Sequence, residues 1–200
     1  NRYPRSMGGA IWDFVSPGLE QPVRKLKDAS SHNVPAHIMG NAGLAEGKEG
    51  KGLHLNGHDQ WVEVYRDDAL EITGDRLTLA LWIYPHNLMY SSGSMLTKGN
   101  YQYGLKQDGK DSLEFYLTTR EKISLKASLP SEWYNQWHHV AGVYDGKNMS
   151  LFIDGKRIAS KPASGDVRNL PYPMNIGRNA QLHGQETSVY LCDARIDQAA

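Results

Sequence analysis

Apolar and polar residues alternate along much of the chain with a period of two, in short runs that end at Gly, Pro, Asp or Thr. Side chains of a strand point to opposite faces in turn, so this period predicts half-buried β-strands. GAIWDFV (9–15) reads as a first strand, before breaks at Pro17, Gly18 and Pro22 and the polar DASSHN at 28–33. A passage from Gly40 to Gly57 carries six glycines and ends in LHLNG, after which QWVEVY (60–65) alternates again. LTLALWIYP (77–85) is apolar at both parities, which predicts a central strand covered on both faces. Short runs follow at MLTKG, YQYGLKQ, SLEFYLTT and KISLKAS, then PMNIGR (173–178) and SVYLCDARI (188–196).

The turns between these runs carry their own signal. WHHVAGVYDGKNMSLFIDGKRIAS (137–160) holds two Asp-Gly-Lys turns nine residues apart, and a third stands at 108–110. Asp-Gly supplies the positive φ angles of a tight hairpin, so these segments predict consecutive antiparallel strands. Met149, Leu151 and Ile153 share one parity and are expected to face the core. No segment keeps an apolar period of 3.6 over three turns, and LPSEWYNQ (129–136) offers one helical turn at most. Turns spaced by roughly 8 to 12 residues predict an all-β, two-sheet antiparallel sandwich or jelly roll.

Composition narrows the partners. Two hundred residues with 40% hydrophobic content can bury one large core, and 22 basic residues balance 22 acidic ones. That balance leaves no basic stripe for nucleic acid, and no apolar run is long enough for a membrane helix. The single cysteine, Cys192, excludes an internal disulfide and reads as a small buried residue. The chain opens on NRYPRSMGG and stops at ARIDQAA within an expected strand, so both ends read as cut from something longer.

The succession GKGLHLNGHDQWVEV, LTLALWIYP, WHHVAGVYDGKNMSLFIDGKRI, MNIGR and ARID resembles the laminin-G-like, concanavalin-A-like jelly roll over residues 23–200. The resemblance implies two large antiparallel sheets packed face to face, the architecture that turn spacing suggests independently. Upstream, YPRSMGGAIWDFVSPGL (3–19) is similar to the segment near the end of the catalytic barrel in glycoside hydrolase family 2, the family of β-galactosidases. Gly8, Gly9, Trp12, Asp13, Val15, Gly18 and Leu19 match that pattern, whereas Ser16-Pro17 replaces its Asp-Gln. By this resemblance residues 1–22 are a barrel remnant and Trp12 walls a sugar subsite of the parent enzyme; GAIWDFV equally suits the first strand of the sandwich. An extracytoplasmic location follows from the same family habit.

Candidate chemistry is sparse. Glucanases of this fold class carry a Glu-x-Asp-x-x-Glu strand motif whose carboxylates share a face, and it is absent. Asp193 and Asp197 are the nearest approach, with Arg195 between them and no third acid. His138 and His139 are adjacent in a strand, so they point to opposite faces and cannot share one ion. A structural Ca2+, which the family resemblance implies, would use Asp197 and the Gly57 carbonyl, although Val15 stands where the first-strand acid belongs. For sugar binding the candidates are the loop aromatics Tyr90, Tyr101, Tyr103, Trp133, Tyr134 and Tyr172, with His183 as a polar neighbour; Trp61, Trp82 and Trp137 are expected in the core.

The resulting expectation is a non-catalytic accessory domain of a β-galactosidase-like glycoside hydrolase that binds carbohydrate weakly or supports the catalytic domain structurally, with the parent's catalytic barrel as its partner and glycans as its ligands. The alternatives are a protein-binding or adhesion module of a secreted protein, and a structural spacer.

Overall fold

The computed structural model of the protein describes residues 24–86, 92–179 and 191–200. The segments holding Trp12, Tyr90 and His183, and the whole 1–22 barrel-like stretch, lie outside these described residues.

Two antiparallel sheets make up the fold. One has the order β1 (Arg24–Leu26), β2 (Ala36–Met39), β5 (Trp61–Val64), β14 (Met174–Ile176), β7 (Ser92–Lys98), β8 (Tyr103–Asp108), β9 (Ser112–Thr118) and β10 (Lys122–Ser128). The other has the order β13 (Lys156–Pro162), β12 (Asn148–Ile153), β11 (His138–Tyr144), β6 (Leu77–Pro85), β15 (Asp193–Asp197), β4 (Lys51–Asn56) and β3 (Gly43–Glu46). Among the described residues the only helical piece is a 3-10 turn at Asp68–Leu70, capped by the Asp67 carboxylate.

The three Asp-Gly-Lys turns each join neighbouring strands: β8 to β9, β11 to β12 and β12 to β13. Asp154 (φ 51°) and Gly155 (φ 76°) both sit in the left-handed region, the conformation that a tight two-residue hairpin turn demands.

Period-two burial builds the core. Leu79, Leu81 and Ile83 of β6, Met149, Leu151 and Ile153 of β12, and Ile196 of β15 point inward from one sheet. Val62, Leu96, Leu105, Phe115 and Leu117 meet them from the other. The sheets approach closely where Gly142 of β11 faces Phe115, since a Cβ at 142 would stand 2.6 Å from that ring. Cys192 is fully buried, and burial pushes its thiol far above the usual range, so it packs as a small apolar group.

His138 and His139 take opposite faces, as their adjacency requires. His138 points inward, stacks on Trp133 (4.8 Å between centroids) and places Nδ1 2.8 Å from the Asp154 carboxylate and Nε2 3.1 Å from the Glu132 carbonyl. It thereby ties the loop before β11 to the β12–β13 turn. Two sequence expectations need correction. The even positions of β6 are not covered: Thr78 is exposed, and Ala80, Trp82 and Tyr84 are half-buried on the outer face. Trp61, Trp82 and Trp137 are likewise half-buried rather than core, because indole rings satisfy an apolar pattern while lying flat along a sheet surface.

Several carboxylates bind their protons weakly because the fold surrounds them with donors. Asp28 accepts from the Ser30 hydroxyl (2.7 Å), the Ser30 amide (2.8 Å) and the Val34 amide (2.8 Å), which holds it below the usual range. At Asp108 burial works in the opposite direction, but hydrogen bonds and charge from Lys126 and Lys106 outweigh it and lower the group as well. A folded-state value below the unfolded one means stability that is fully present above about pH 4 and is lost as pH falls through the depressed values. Melting temperature measured from about pH 6 down to pH 2 is therefore expected to fall below about pH 4. Asp28→Asn and Asp108→Asn are each expected to lower it at neutral pH and to flatten that acid limb; an unchanged limb in both would contradict this origin.

Candidate functional site

The outer face of the seven-stranded sheet collects the polar and aromatic side chains that the core rejects. Register sets its rows. His139 of β11 is opposite Trp82 of β6, Trp82 is opposite Asp197 of β15, Tyr84 is opposite Arg195, and Arg195 is opposite His54 of β4. Trp137, just before β11, meets Tyr84 edge to face at 5.6 Å. His86 closes the upper row: it contacts Tyr84 (5.6 Å) and His54 (5.1 Å), and its Nδ1 lies 3.1 Å from Asp193 Oδ1. A continuous band thus crosses four strands, from Trp137 and His139 to His54.

Two cations lie on this band. The Arg195 guanidinium is 4.0 Å from the Tyr84 ring centroid and 5.6 Å from that of Trp137, and its Nη1 donates to the Glu46 carbonyl at 3.1 Å. Lys48 Nζ is 4.5 Å from the Trp82 centroid. Lys48 belongs to the β3–β4 turn, which Asp197 holds in place. Its Oδ2 accepts from the Glu49 amide at 3.0 Å and its Oδ1 from the Gln198 amide at 2.9 Å, while Gln198 Nε2 donates to Glu49 at 3.0 Å.

Asp197 therefore positions a turn, which differs from the metal-ligand role expected of it. Gly57 cannot join it on one ion: Ile196 pairs with Leu53 and Asp193 with Asn56, so the two positions lie at opposite ends of the β4–β15 ladder. Five residues of strand put them roughly 16 Å apart, several times a Ca–O distance. No cluster of three or more His, Cys, Asp or Glu suited to a metal occurs among the described residues. Asp193 and Asp197 stand four residues apart on β15, roughly 13 Å along the strand, and their carboxylates are engaged separately, Asp193 by His86 and Asp197 by the Glu49 and Gln198 amides.

The loop aromatics divide. Tyr103 and Trp133 are each 1% exposed and drop out of any surface platform. Tyr103 is the first inward residue of β8, and burial, then the Glu71 charge, push its phenol well above the usual range. Trp133 plugs the end of the core, where its Nε1 donates to Gln107 Oε1 at 2.8 Å. Tyr101 is 52% exposed and Tyr172 half-buried, and their loops meet where the Leu170 amide donates to Gln102 Oε1. Tyr134 caps Gln107 through its hydroxyl.

A cavity of about 760 Å3 opens between the sheets near β1 and β3, lined by Leu26, Leu44, Leu53, Val62, Leu70 and Ile196 among others. Its lining is mostly apolar interior reached from the short edge strands, with Asp28, Ser30, His32, Lys51 and Gln198 among its polar residues. Sequence reasoning missed Lys48, His54, Tyr84, His86 and Arg195. The available signal was parity: Trp82 and Tyr84 share one face of β6, and His139 occupies the corresponding face of β11.

Comparison with known proteins agrees with this architecture. Among solved structures, the binding domain of Paraclostridial Mosquitocidal Protein 1 superposes with a TM-score of 0.69 at 18% identity, covering 86% of this chain and 44% of that one. Domain 4 of AbnA, a GH43 extracellular arabinanase from Geobacillus stearothermophilus determined with arabinotriose, gives 0.64 at 20% identity, covering 85% and 83%. The botulinum neurotoxin serotype G binding domain gives 0.64 at 11% identity over 86% of this chain and 44% of its own. The chain thus spans less than half of each of these two toxin domains, and at such identities the likeness concerns the fold. Comparison with curated protein sequences gives no match. The model of the concanavalin A-like lectin/glucanases superfamily matches residues 56–200. By that match, which takes in most of both sheets, the chain belongs to the concanavalin A-like lectin/glucanase superfamily.

Proposed function

We propose that this domain is a non-catalytic carbohydrate-binding module, accessory to a glycoside hydrolase resembling a family 2 β-galactosidase, and that it binds glycans on the outer face of the seven-stranded sheet. The band of Trp137, Tyr84, His86 and His54 around Arg195 carries this reading, because sugar recognition combines apolar ring surface with directional polar groups. The separate engagement of the Asp193 and Asp197 carboxylates, by His86 and by the Glu49 and Gln198 amides, supports a binding role rather than a hydrolytic one. The arabinanase domain, determined with arabinotriose, and a botulinum binding domain, determined with SialylT, are proteins of this fold solved with sugars, which favours the same class of ligand. The β-galactosidase-like parent and an extracytoplasmic location rest on the sequence resemblance of residues 3–19 and 23–200.

A shallow face buries little ligand, and the entropy lost on association offsets much of the contact energy, so dissociation constants nearer millimolar than nanomolar are expected. Calorimetric titration of plant and host oligosaccharides checks this. Trp137→Ala and Tyr84→Ala should each weaken binding about fivefold or more, the first by removing an aromatic contact and the second by removing the ring that braces Arg195. Tyr101→Ala should leave it unchanged. Loss of binding only in Tyr101→Ala would move the site to the loops, and binding to no glycan would place the spacer and protein-binding readings ahead.

A further inference from the structure

We infer that the glycan held on this face is acidic, its sugars bearing carboxylates, and that Lys48 and Arg195 read that charge. The inference rests on the glycan-binding reading above and narrows it.

The first argument is what an incoming ligand meets. A neutral pyranose stacks on an open aromatic face. Here the Trp82 face carries Lys48 Nζ at 4.5 Å, and the Tyr84 face carries the Arg195 guanidinium at 4.0 Å. The ammonium and guanidinium are thus placed ahead of the rings, which brace them from behind by cation–π attraction.

The second argument is that neither cation is already committed to a carboxylate. The carboxylates of the face keep their charge but bond to other groups: Asp193 to His86, Asp197 to the Glu49 and Gln198 amides, and Glu49 to the Gln198 side chain. Among the described residues Lys48 and Arg195 form no ion pair. Elsewhere the fold does pair its buried and partly buried lysines, Lys98 with Glu71, and Lys106 with Asp108 and Glu114. Arg195 Nε is buried with no hydrogen-bond partner, so it is the Nη edge of the guanidinium that would meet a ligand. A carboxylate matches that planar fork with two parallel hydrogen bonds, which a sugar hydroxyl cannot supply.

The third argument is preorganisation. Arg195 is fixed by the Glu46 carbonyl, and Lys48 sits in the turn that Asp197 anchors. Trp82 and Tyr84 are two residues apart on β6, so the two cations are held over rings spaced by roughly 7 Å along one strand. Ordering these long side chains in advance removes part of the entropy that a ligand would otherwise have to offset.

The test compares an oligogalacturonide with its fully methyl-esterified form, which keeps the sugar backbone and removes the charge, by calorimetry on the 200-residue chain at neutral pH. The free acid is expected to bind about tenfold or more tightly than the ester, as charge-assisted bonds exceed neutral ones. Raising salt from about 50 to 500 mM should close most of that gap. Lys48→Gln with Arg195→Gln should reduce the acid to the affinity of the ester. Arg195→Lys, which keeps charge but loses the fork, should fall between.

Equal affinity of the unaltered protein for acid and ester at low salt would overturn the inference whatever the variants do. If both then bind, glycan recognition itself survives; if neither they nor neutral oligosaccharides bind, both readings fall. Poly-glutamate binding as tightly as the oligogalacturonide would also overturn it, because the face would then select an acidic peptide.

Discussion

Alanine in place of Trp133 is expected to destabilise the domain by about 3–5 kcal/mol, the cost of emptying a fully packed aromatic site. Three losses add. The indole leaves a cavity at the end of the sandwich, Gln107 Oε1 loses its donor at 2.8 Å, and His138 loses the ring stacked on it at 4.8 Å. At 200 residues each kcal/mol moves the melting temperature by about 2–4 °C, so a drop on the order of 10 °C is expected by differential scanning calorimetry. Trp133→Phe should recover most of the packing but leave Gln107 unsatisfied, an intermediate loss of about 1–3 kcal/mol. A melting temperature unchanged in both variants would mean that the indole is outside the core. Glycan affinity at the sheet face should be the same in all three proteins.

Gly40→Ala is expected to cost about 3 kcal/mol, from left-handed strain together with a backbone collision. Gly40 follows β2 with φ +63°, and a Cβ there would lie 1.7 Å from the Asp59 carbonyl oxygen and 2.6 Å from its carbon. Backbone rather than a flexible side chain is in the way, so the loop after β4 must move. Gly50 is the control: its φ is +64°, yet nothing stands within 4 Å of a Cβ, leaving only the conformational cost of about 1 kcal/mol. Urea midpoints for the two variants should differ accordingly. Equal loss at both positions would show that conformation alone decides, with the contact at Asp59 contributing nothing.

What the sequence reveals follows the range of the interaction involved. Asp154-Gly155 was legible because its positive φ angles are a property of two adjacent residues. Met149, Leu151 and Ile153 were legible because one face of β12 meets one core. LTLALWIYP misled because hydrophobicity does not distinguish a buried Leu81 from a Trp82 lying on an outer surface beneath Lys48. Trp133 looked like a loop aromatic, and only the non-local contacts with Gln107 and His138 bury it. The candidate site was least visible. Arg195, Tyr84 and His54 come from strands far apart in sequence, and the register that aligns them is set by the core on the opposite face.

The place of β15 governs the order in which the fold can be completed. Its Ile196 pairs with Leu53 on one side and Ile83 on the other, so β15 is the wedge between β4 and β6. During synthesis the β3–β4 ribbon and the β6–β11–β12–β13 meander can each form early, but they remain two separate half-sheets with open inner edges. Closure awaits residues 193–197 and a pairing that spans most of the chain, the kind of long-range step that makes β-rich domains slow to fold and vulnerable to edge-to-edge association until it is complete.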